Sequence, residues 1–534
     1  MTNGSNDRKG GPGGGLPDRP DQVRLAGEEK KKIDKKRLFF IFLGLGLFLL
    51  MVLIPELPSA TDPSGKVFEL APEGKAALGL FLLAAIWWVF EVVPIGVTSI
   101  MIAVVQAMFL TLLIDYGEKP AARTARDAFT DFMDSSVWFI FGSIVIGLVF
   151  TKTGLTKRMA YKMLSVVGEK TSMIYLGCFV MTAALTHIMA HTAVAATVFP
   201  LLMAIYSLYT DEEEPTKFGK GLFMGMAFVA GAGSIITLLG AARGAVAIGF
   251  YNEIVLGKEM LFQGVAHIPK EISFFDITYY MFLPGWLMVF VLWGYFMVVY
   301  KPESARIPGL RERARNLYSK LGPWTKIEIL TLAIVLATVV VMSLRSFVPE
   351  LKPINKSAII LVSTLLFFLF NILDLDDLEE IPWNIILLFG GAMSIGFCLW
   401  QTGAAEWLAV TFIVLFEQAH WFIFVMAITF FVLIMTNLIM NVAAIAISLP
   451  VAMVLAPYLG VTPEIIMYAA LVAAGMPFLF LVGAAPNAIA YGSGQFTSGE
   501  FFKMGIPASL ILMVVIGIFV SVVWPIMGMP ILIK

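Results

Sequence analysis

The amino-acid sequence predicts an all-α polytopic membrane protein built from two inverted repeats, each with a re-entrant hairpin and an interrupted helix. Three observations support this fold class. Hydrophobic residues make up 59% of the 534 residues and charged residues only 14%, against about 25% charged in an average soluble domain. The apolar residues form runs that provide about eleven membrane spans. Small and polar residues interrupt some of these runs at matching places in the two halves of the chain.

The N-terminal region is predicted to lie outside the fold. Residues 1–36 mix glycine, proline and charged residues without periodicity, which is typical of a disordered tail. The tail ends in a basic run, and the apolar residues 38–54 follow as the first span. Because basic residues favour the cytoplasmic side, we expect an uncleaved span and a cytoplasmic N-terminus in the plasma or inner membrane.

Each half of the chain is predicted to follow the same order of elements. The first half, residues 37–300, contains a broken apolar segment at about 172–208, predicted as a re-entrant hairpin, and an interrupted helix at about 221–250. The second half, residues 327–534, contains the corresponding hairpin at about 416–458 and interrupted helix at about 464–492. The residues between the halves, 301–326, hold seven Lys or Arg residues and are predicted as a cytoplasmic loop. The acidic run 374–380 is predicted as a solvated loop.

Two sequence matches indicate an internal duplication. Residues 186–193 (Thr-His-Ile-Met-Ala-His-Thr-Ala) match residues 436–443 (Thr-Asn-Leu-Ile-Met-Asn-Val-Ala). Pro200 and Pro450 follow at the same spacing, because both pairs lie 250 residues apart (436 − 186 and 450 − 200). Residues 239–247 match residues 482–490 in the same order along the chain. An odd number of spans in each half would invert one copy relative to the other.

Interrupted helices at membrane depth point to transport. Broken backbone in a membrane is tolerated only where protein or a water-filled cavity covers it. Paired interruptions at corresponding positions of two repeats indicate the binding site of a secondary transporter. Each new helix N-terminus also carries unpaired N–H groups and about half a positive charge, which attracts anions.

Several motifs resemble those of one transporter family. They are the Trp-Val-Phe-Glu-Val-Val-Pro run at 88–94, Gly142, Thr-Gly-Leu at 153–155, Pro200, Pro-Trp at 382–383, Phe-Gly-Gly at 389–391, Pro450 and Pro-Asn at 486–487. The chain is similar over residues 88–518 to the divalent anion/sodium symporters, which transport dicarboxylates and sulfate with sodium. The resemblance implies a homodimer with an elevator mechanism, in which a moving domain carries both hairpins across the membrane.

The hairpin tips depart from the family pattern of Ser-Asn-Thr. The first tip reads Ala-His-Thr at 190–192 and the second reads Met-Asn-Val at 440–442, so side-chain oxygens that suit a hard cation are lost. Arg243 enters the first break, where the family usually has proline. A guanidinium binds carboxylates through its bidentate fork and supplies the charge that sodium supplies elsewhere.

These departures lead to a functional hypothesis. We expect a carrier of C4 or C5 dicarboxylates that is independent of sodium and works by exchange or with protons through His191. The alternative is a sodium-coupled dicarboxylate or sulfate symporter that keeps a residual sodium site near Asn441 and Asn487. No cofactor is expected beyond Na+ or H+ as coupling ion, and the expected partners are a small dianion, the lipid bilayer and a second copy of the chain.

The candidate site residues come from the two tips and the two breaks. The substrate-binding candidates are Ala190, His191, Thr192, Gly240, Ala241, Arg243, Met440, Asn441, Val442, Ala484, Pro486 and Asn487. The ion-coupling candidates are His191, Asn441, Asn487, Thr186, Thr237 and Thr436. Two alternatives remain open at this stage: Arg243 pairs with a carboxylate such as Glu91, and His187 caps a broken backbone.

Other functional classes fit the sequence less well. A net charge of −1 gives no basic excess for nucleic acid. Four histidines and two cysteines form no zinc pattern. An intramembrane enzyme with His191 as base needs a nucleophile or metal ligands nearby, and the first tip offers only Thr192 and apolar residues. A channel remains an alternative. Uptake that saturates and that is stimulated by substrate on the opposite side of the membrane would exclude it.

Overall fold

The computed structural model of the protein describes residues 35–61, 67–110, 124–210, 214–257, 269–416 and 419–533. Within these ranges the chain is mostly helical, and ten helices are long and apolar enough to span a membrane. The described strands form one short antiparallel pair, in which β1 (Ala60–Thr61) pairs with β2 (Val67–Phe68). The prediction of an all-α polytopic membrane protein is confirmed.

The helices follow one another with few long connections. Those of the first half are α1 (Lys35–Leu53), α2 (Pro72–Val89), α3 (Ile95–Val105), α4 (Ala125–Thr130), α5 (Ser135–Lys152), α6 (Leu155–Val167), α7 (Thr171–Leu185), α8 (His191–Tyr209), α9 (Lys217–Gly233), α10 (Arg243–Phe250) and α11 (Phe274–Val299). Short π-helical turns, Gln106–Leu110 and Tyr251–Leu256, continue α3 and α10.

The second half has the same alternation of long and broken helices. Its helices are α12 (Leu310–Lys320), α13 (Lys326–Leu344), α14 (Lys356–Leu369), α15 (Leu375–Glu379), α16 (Trp383–Gln401), α17 (Ala404–Phe416), α18 (Trp421–Leu438), α19 (Asn441–Tyr458), α20 (Pro463–Ala474), α21 (Ala485–Tyr491), α22 (Ser498–Ile518) and α23 (Trp524–Ile526). A π-helical turn, Phe519–Val523, joins the last two.

The number of long or broken helices matches the predicted number of crossings. Two pairs of helices, α9 with α10 and α20 with α21, are each one helix broken in the middle. With α1, α2, α3, α5, α11, α13, α14, α16 and α22 they provide eleven candidates for the predicted crossings within the described residues. Three of the ten helices long and apolar enough to span a membrane, α8, α18 and α19, lie in the ranges predicted as hairpins. The helix pairs α7–α8 and α18–α19 are left over and lie in the two ranges predicted as hairpins.

The two outer ends of the α7–α8 pair meet at one short segment. The Thr171 hydroxyl donates to the Ser304 carbonyl over 2.8 Å at the start of α7. The Tyr209 hydroxyl donates to the Glu303 carboxylate over 2.9 Å at the end of α8. The chain therefore enters and leaves this pair on the same side of the protein, and residues 186–190 form its tip.

The structure differs from the sequence predictions in two polar segments. The loop predicted at 301–326 contains the helix α12, which buries Leu310 and Ala314 against α6. Charged residues surround these two apolar positions, so the segment reads as a loop from composition alone. The acidic run 374–380 was expected as a solvated loop, but it forms α15, and Asp377 is buried beside Lys152.

The start of the chain and one further helix also differ from expectation. Lys35 and Lys36, placed in the predicted tail 1–36, form the first turn of α1. The rest of that tail, residues 1–34, lies outside the described residues. The helix α17 was not anticipated, and it follows α16 as α6 follows α5. A Thr-Gly pair precedes both α6 and α17, and each glycine has a positive φ, +80° at Gly154 and +75° at Gly403.

A buried ion pair fixes the ends of three helices. Arg158 on α6 donates through Nε and Nη2 to the two carboxylate oxygens of Glu328 on α13, over 2.8 and 3.0 Å. The side chains are only 3% and 6% exposed. Arg158 also donates to the Gly322 carbonyl over 3.0 Å, and its guanidinium lies 5.1 Å from the ring centroid of Trp324. One arginine thus holds the connection between α12 and α13 against α6.

We predict that Arg158→Ala strongly destabilises the protein, because it leaves the Glu328 carboxylate buried without its partner. Removing one member of a buried pair costs about 3–5 kcal/mol. Arg313→Ala is the matched control, since Arg313 is exposed on α12. The measurement is the midpoint of thermal unfolding in detergent. The double variant Arg158→Met with Glu328→Met should recover much of the loss. Equal midpoints for Arg158→Ala and Arg313→Ala would contradict this account.

Candidate substrate site

The two hairpin tips have the same backbone geometry. Ala190 caps α8 with φ −57° and ψ 137°, and Met440 caps α19 with φ −59° and ψ 144°. His191 and Asn441 are therefore the first residues of two long helices. The first N–H groups of a helix lack partners within the helix, so both tips present N–H groups and a partial positive charge.

Polar side chains tie the first break, residues 234–242 between α9 and α10, to its surroundings. The Thr237 hydroxyl donates to the His187 carbonyl over 2.8 Å, and the His191 N–H donates to the Gly240 carbonyl over 3.1 Å. The Ser143 hydroxyl on α5 donates to the Leu239 carbonyl over 2.8 Å. Carbonyls freed by the break thus find donors within the protein, as the interior of a membrane requires.

The second break, residues 475–484 between α20 and α21, is held in the same way. The Asn437 amide oxygen accepts from the Leu479 N–H over 2.7 Å. The Thr436 hydroxyl donates to the Ala474 carbonyl over 3.0 Å, and the Asn487 amide donates to the Pro477 carbonyl over 2.8 Å. Thr436 and Asn487 therefore satisfy the backbone at this break.

Between the tips and the helices α5 and α16 lies a cavity of about 330 Å³. Nine of the predicted substrate-binding residues line it: Ala190, His191, Thr192, Ala241, Arg243, Met440, Asn441, Val442 and Ala484. The other predicted residues do not line it, namely Gly240, Pro486 and Asn487 of the substrate set and Thr186, Thr237 and Thr436 of the ion set. The hydroxyls of these three threonines donate to backbone carbonyls instead.

The opposite wall of the cavity consists of residues that were not predicted from the sequence. This wall belongs to α5, α16 and the residues just before α16, and it includes Ile140, Ser143, Ile144, Gly147, Leu148, Thr151, Glu380, Ile381, Pro382, Ile385 and Phe389. The helices α5 and α16 are continuous, so no interruption marks them as parts of a site. The sequence signals that these two helices correspond are the matching Phe-Gly pairs at 141–142 and 389–390 and the Thr-Gly pairs at 153–154 and 402–403 downstream.

Arg243 is the buried charge of the cavity. It begins α10 and is only 2% exposed. Its Nη2 donates to the Ser234 hydroxyl over 2.8 Å. The Asn441 amide is oriented so that its nitrogen donates to the Gly483 carbonyl over 2.8 Å. In this orientation the amide oxygen accepts from Arg243 Nη1 over 3.3 Å. A Cβ at position 475 would lie 2.6 Å from Nη2, so the glycine there leaves room for the guanidinium.

The guanidinium of Arg243 has no carboxylate within 4 Å among the residues that the structure describes. The alternative pairing with Glu91 is wrong, because Glu91 is exposed after the end of α2, with φ 43°. Glu91 lines a separate pocket together with Lys36. A buried cation without a partner is costly, and such a group in a membrane protein usually serves a ligand.

The two histidines of the first tip have different surroundings. His191 lines the cavity, and its Nδ1 lies 3.4 Å from the Gly240 carbonyl. His187 does not line the cavity, and neither of its ring nitrogens has a hydrogen-bond partner among the described residues. Its ring stands edge-on to Trp286 at 5.5 Å. The carbonyl of His187 connects the tip to the break by accepting from the Thr237 hydroxyl.

Oxygen ligands for a sodium ion are few around the cavity. Thr192 is the one hydroxyl of the two tips, and the amide oxygen of Asn441 faces the Arg243 guanidinium. The Gly240 and Gly483 carbonyls already accept hydrogen bonds from His191 and Asn441. Each carbonyl keeps a second lone pair for a cation. The residues present therefore allow a sodium ion held mainly by backbone oxygens.

Charged residues surround the outer end of the cavity. Lys152 at the end of α5 pairs with Asp374 over 3.0 Å and also with Asp377. The hydrogen bond from Lys152 holds the pKa of the Asp374 carboxyl below its usual range. Glu380 follows α15, is exposed, and lines the cavity. Because Lys152 is adjacent to Thr151 and pairs with Asp377 on α15, Thr151 and Glu380 belong to the same end of the cavity. This end of the cavity, which we call the mouth, is therefore acidic.

Comparisons with known proteins agree with this architecture. The family profile described as "Sodium:sulfate symporter transmembrane region" matches residues 42–530. A sodium-dependent dicarboxylate transporter of Staphylococcus saprophyticus, SdcS, is 24% identical over 525 residues, which cover 94% of each chain. The protein of the same name from Staphylococcus aureus is 25% identical over 526 residues, with 93% of each chain covered.

Two solved structures share the fold. The Alcanivorax borkumensis YdaH transporter has a TM-score of 0.53 at 12% sequence identity, covering 93% of this chain and 99% of that one. Neisseria gonorrhoeae MtrF, described with a class of antimetabolite efflux pumps, has a TM-score of 0.51 at 12% identity, covering 91% and 93%. Because the family profile matches most of the chain, this protein is a multi-pass membrane transporter and belongs to the sodium:sulfate symporter family, the divalent anion/sodium symporters that its motifs resemble.

Proposed function

We propose that this chain transports C4 or C5 dicarboxylates and that it couples this transport to sodium. The similar SdcS proteins are named as sodium-dependent dicarboxylate transporters and match over nearly their whole length. Sodium independence, expected from the hairpin tips, has no support from these relatives, and the sodium-coupled alternative fits them better. The backbone carbonyls at the two breaks supply the oxygens that the tips lack.

The observation that carries the proposal is the guanidinium of Arg243, which has no carboxylate partner among the described residues and lies in a cavity between two helix N-termini. The guanidinium contributes one positive charge, and each of α8 and α19 contributes about half a charge at its first turn. The site thus offers roughly two positive charges, which complement a dianion. A carboxylate that approaches Arg243 also finds the planar, bidentate donor geometry that it prefers.

We further propose that the hairpins and interrupted helices move together as one unit, called here the site unit (α7–α10 and α18–α21). The helix α21 packs on α8 and α9, and α10 packs on α19, so each interrupted helix contacts the hairpin of the other repeat. The hydrogen bonds of Thr237 and Asn437 join tips to breaks. This unit moves along α5 and α16 in an elevator movement. The proposal also includes a homodimer, a cytoplasmic N-terminus and the division of the chain into two inverted repeats.

A second candidate is sodium-independent exchange, and one contact favours it. The Asn441 amide oxygen lies 3.3 Å from Arg243 Nη1. The oxygen of the second tip that is suited to bind sodium therefore already contacts the guanidinium. A permanent cation there neutralises a dianion without sodium. His191, on the cavity wall beside Arg243, is the candidate for proton coupling in this case.

We predict that an inward sodium gradient drives uptake of labelled succinate into empty proteoliposomes at least about tenfold faster than choline does. The coupled entry of sodium supplies the free energy for accumulating a dianion. The measurement is initial uptake with sodium or choline outside, with and without succinate inside. Uptake that requires internal succinate and is equal in both cations would favour the exchanger and contradict sodium coupling.

We also predict that Arg243→Met raises the thermal unfolding midpoint of the substrate-free protein by about 2 °C or more, because an unpaired buried charge is removed. Saturating succinate should raise the midpoint of the native protein and leave that of the variant unchanged. Arg345→Met is the matched control, since Arg345 is 9% exposed and has a carboxylate partner, Glu271, at 3.0 Å. That variant should be less stable. A lower midpoint for Arg243→Met would show that Arg243 is structural.

A further inference from the structure

The polar groups of the cavity lie at its two ends. Arg243, His191 and Asn441 form the inner end, beside the two breaks. Thr151 and Glu380 belong to the mouth. The charges that attract an anion are therefore at the inner end. The only carboxylate on the described part of the cavity wall, that of Glu380, is at the mouth.

The wall between the two ends is apolar on both sides. Helices α5 and α16 contribute large aliphatic and aromatic side chains, among them Ile144, Leu148 and Phe389. The site unit contributes Ala196 and Val442 from α8 and α19. We call this middle part of the cavity the apolar groove. It offers almost no hydrogen bonds, so it gains free energy only by burying apolar surface.

The cavity is also larger than a C4 dicarboxylate requires. Its volume of about 330 Å³ lies within the range of roughly 300–1,000 Å³ that holds drug-sized ligands. Along α5, its wall runs from Ile140 to Thr151, which corresponds to about 16 Å at 1.5 Å per residue. The carboxyl carbons of succinate are about 4 Å apart at most, given single bonds of about 1.5 Å. A succinate bound at Arg243 leaves the apolar groove unfilled.

The mouth does not suit a second carboxylate. The Glu380 carboxylate is exposed and makes no side-chain hydrogen bond or ion pair among the described residues. The Thr151 and Thr197 hydroxyls donate to carbonyls of their own helices, Gly147 over 3.1 Å and Ala193 over 2.9 Å. A long dicarboxylate with its charges at opposite ends would place one carboxylate near Glu380, where like charges repel.

We infer that the site binds dicarboxylates whose two carboxylates are close together and whose carbon chain bears an apolar substituent. The carboxylates bind at Arg243 and the two helix N-termini, and the substituent fills the apolar groove. An alkyl- or aryl-substituted succinate has this form. The inference rests on the proposed dicarboxylate transport and narrows its substrate class.

Competition for uptake of labelled succinate into proteoliposomes tests the inference. Unlabelled 2-benzylsuccinate should compete at a concentration at least about tenfold lower than unlabelled succinate, the gain expected from burying a phenyl group. Suberate, whose carboxylates stand at the ends of an eight-carbon chain, should compete less well than succinate. Benzylsuccinate that competes no better than succinate would overturn the inference.

Two variants test the roles of the apolar groove and of the mouth independently. Ala196→Phe fills the apolar groove from an exposed position on α8 and should reduce the ratio of benzylsuccinate to succinate affinity at least about fivefold, since most of the buried phenyl surface is lost. Glu380→Gln should improve competition by suberate. Glu379→Gln is the matched control, because Glu379 is exposed and does not line the cavity.

The outcomes distinguish this inference from the proposed function. Labelled succinate is taken up in the first case, but the ratio of benzylsuccinate to succinate affinity is the same in the native protein and in Ala196→Phe. The apolar groove then does not bind substrate, and only the inference fails. If neither labelled succinate nor labelled benzylsuccinate enters the vesicles, dicarboxylate transport fails as well. A suberate affinity that rises equally in Glu380→Gln and Glu379→Gln would contradict the role of Glu380.

Discussion

Backbone groups freed at two helix breaks must find partners inside the protein, since lipid offers none, and the rest of the site depends on this constraint. Thr237, Thr436, Asn437 and Asn487 supply many of these partners. The hydrogen bonds of Thr237 and Asn437 join each break to a hairpin tip. Because these side chains are occupied with the backbone, the cavity itself is left with few polar groups, and Arg243 becomes its dominant charge.

The burial of Arg243 connects stability with function. The guanidinium begins α10, and its contacts are the Ser234 hydroxyl and the Asn441 amide rather than a carboxylate. In the Arg158–Glu328 pair, by contrast, a buried arginine has a carboxylate and serves to fix three helices. An arginine without such a partner costs free energy in the empty protein, and under the proposed function an anionic substrate offsets that cost. Binding therefore draws on an interaction that the fold leaves incomplete.

The sequence predicted the fold class and most of the tip residues, because interruptions and an internal repeat are visible in the order of residues. Composition alone predicted the membrane, and the 250-residue spacing located both tips. Arg243 was found because a charge in an apolar segment is conspicuous. Thr186 and Thr436 were placed in the site only by their position in the repeat, and their hydroxyls bind backbone carbonyls instead.

The opposite wall of the cavity could not be predicted in this way. Side chains such as Leu148 and Phe389 lie on uninterrupted apolar helices, where a residue that faces a cavity has the same character as one that faces lipid. Glu380 looked like part of a solvated acidic loop, and only the packing of α15 against Lys152 brings it to the mouth. The helix α12 depends on two buried apolar side chains among charged ones, and α15 depends on a capping box and on the buried Asp377, so hydropathy predicts neither helix.

The most direct test of the account is the equilibrium binding of succinate to the purified protein, measured by isothermal titration calorimetry with and without sodium. If Arg243 provides the charge for the substrate, Arg243→Gln should raise the Kd at least about thirtyfold, the loss expected for a buried charge contact, and Arg243→Lys should raise it less. An unchanged Kd in Arg243→Gln would contradict the account, because the dianion would then be held without the guanidinium around which the cavity is arranged.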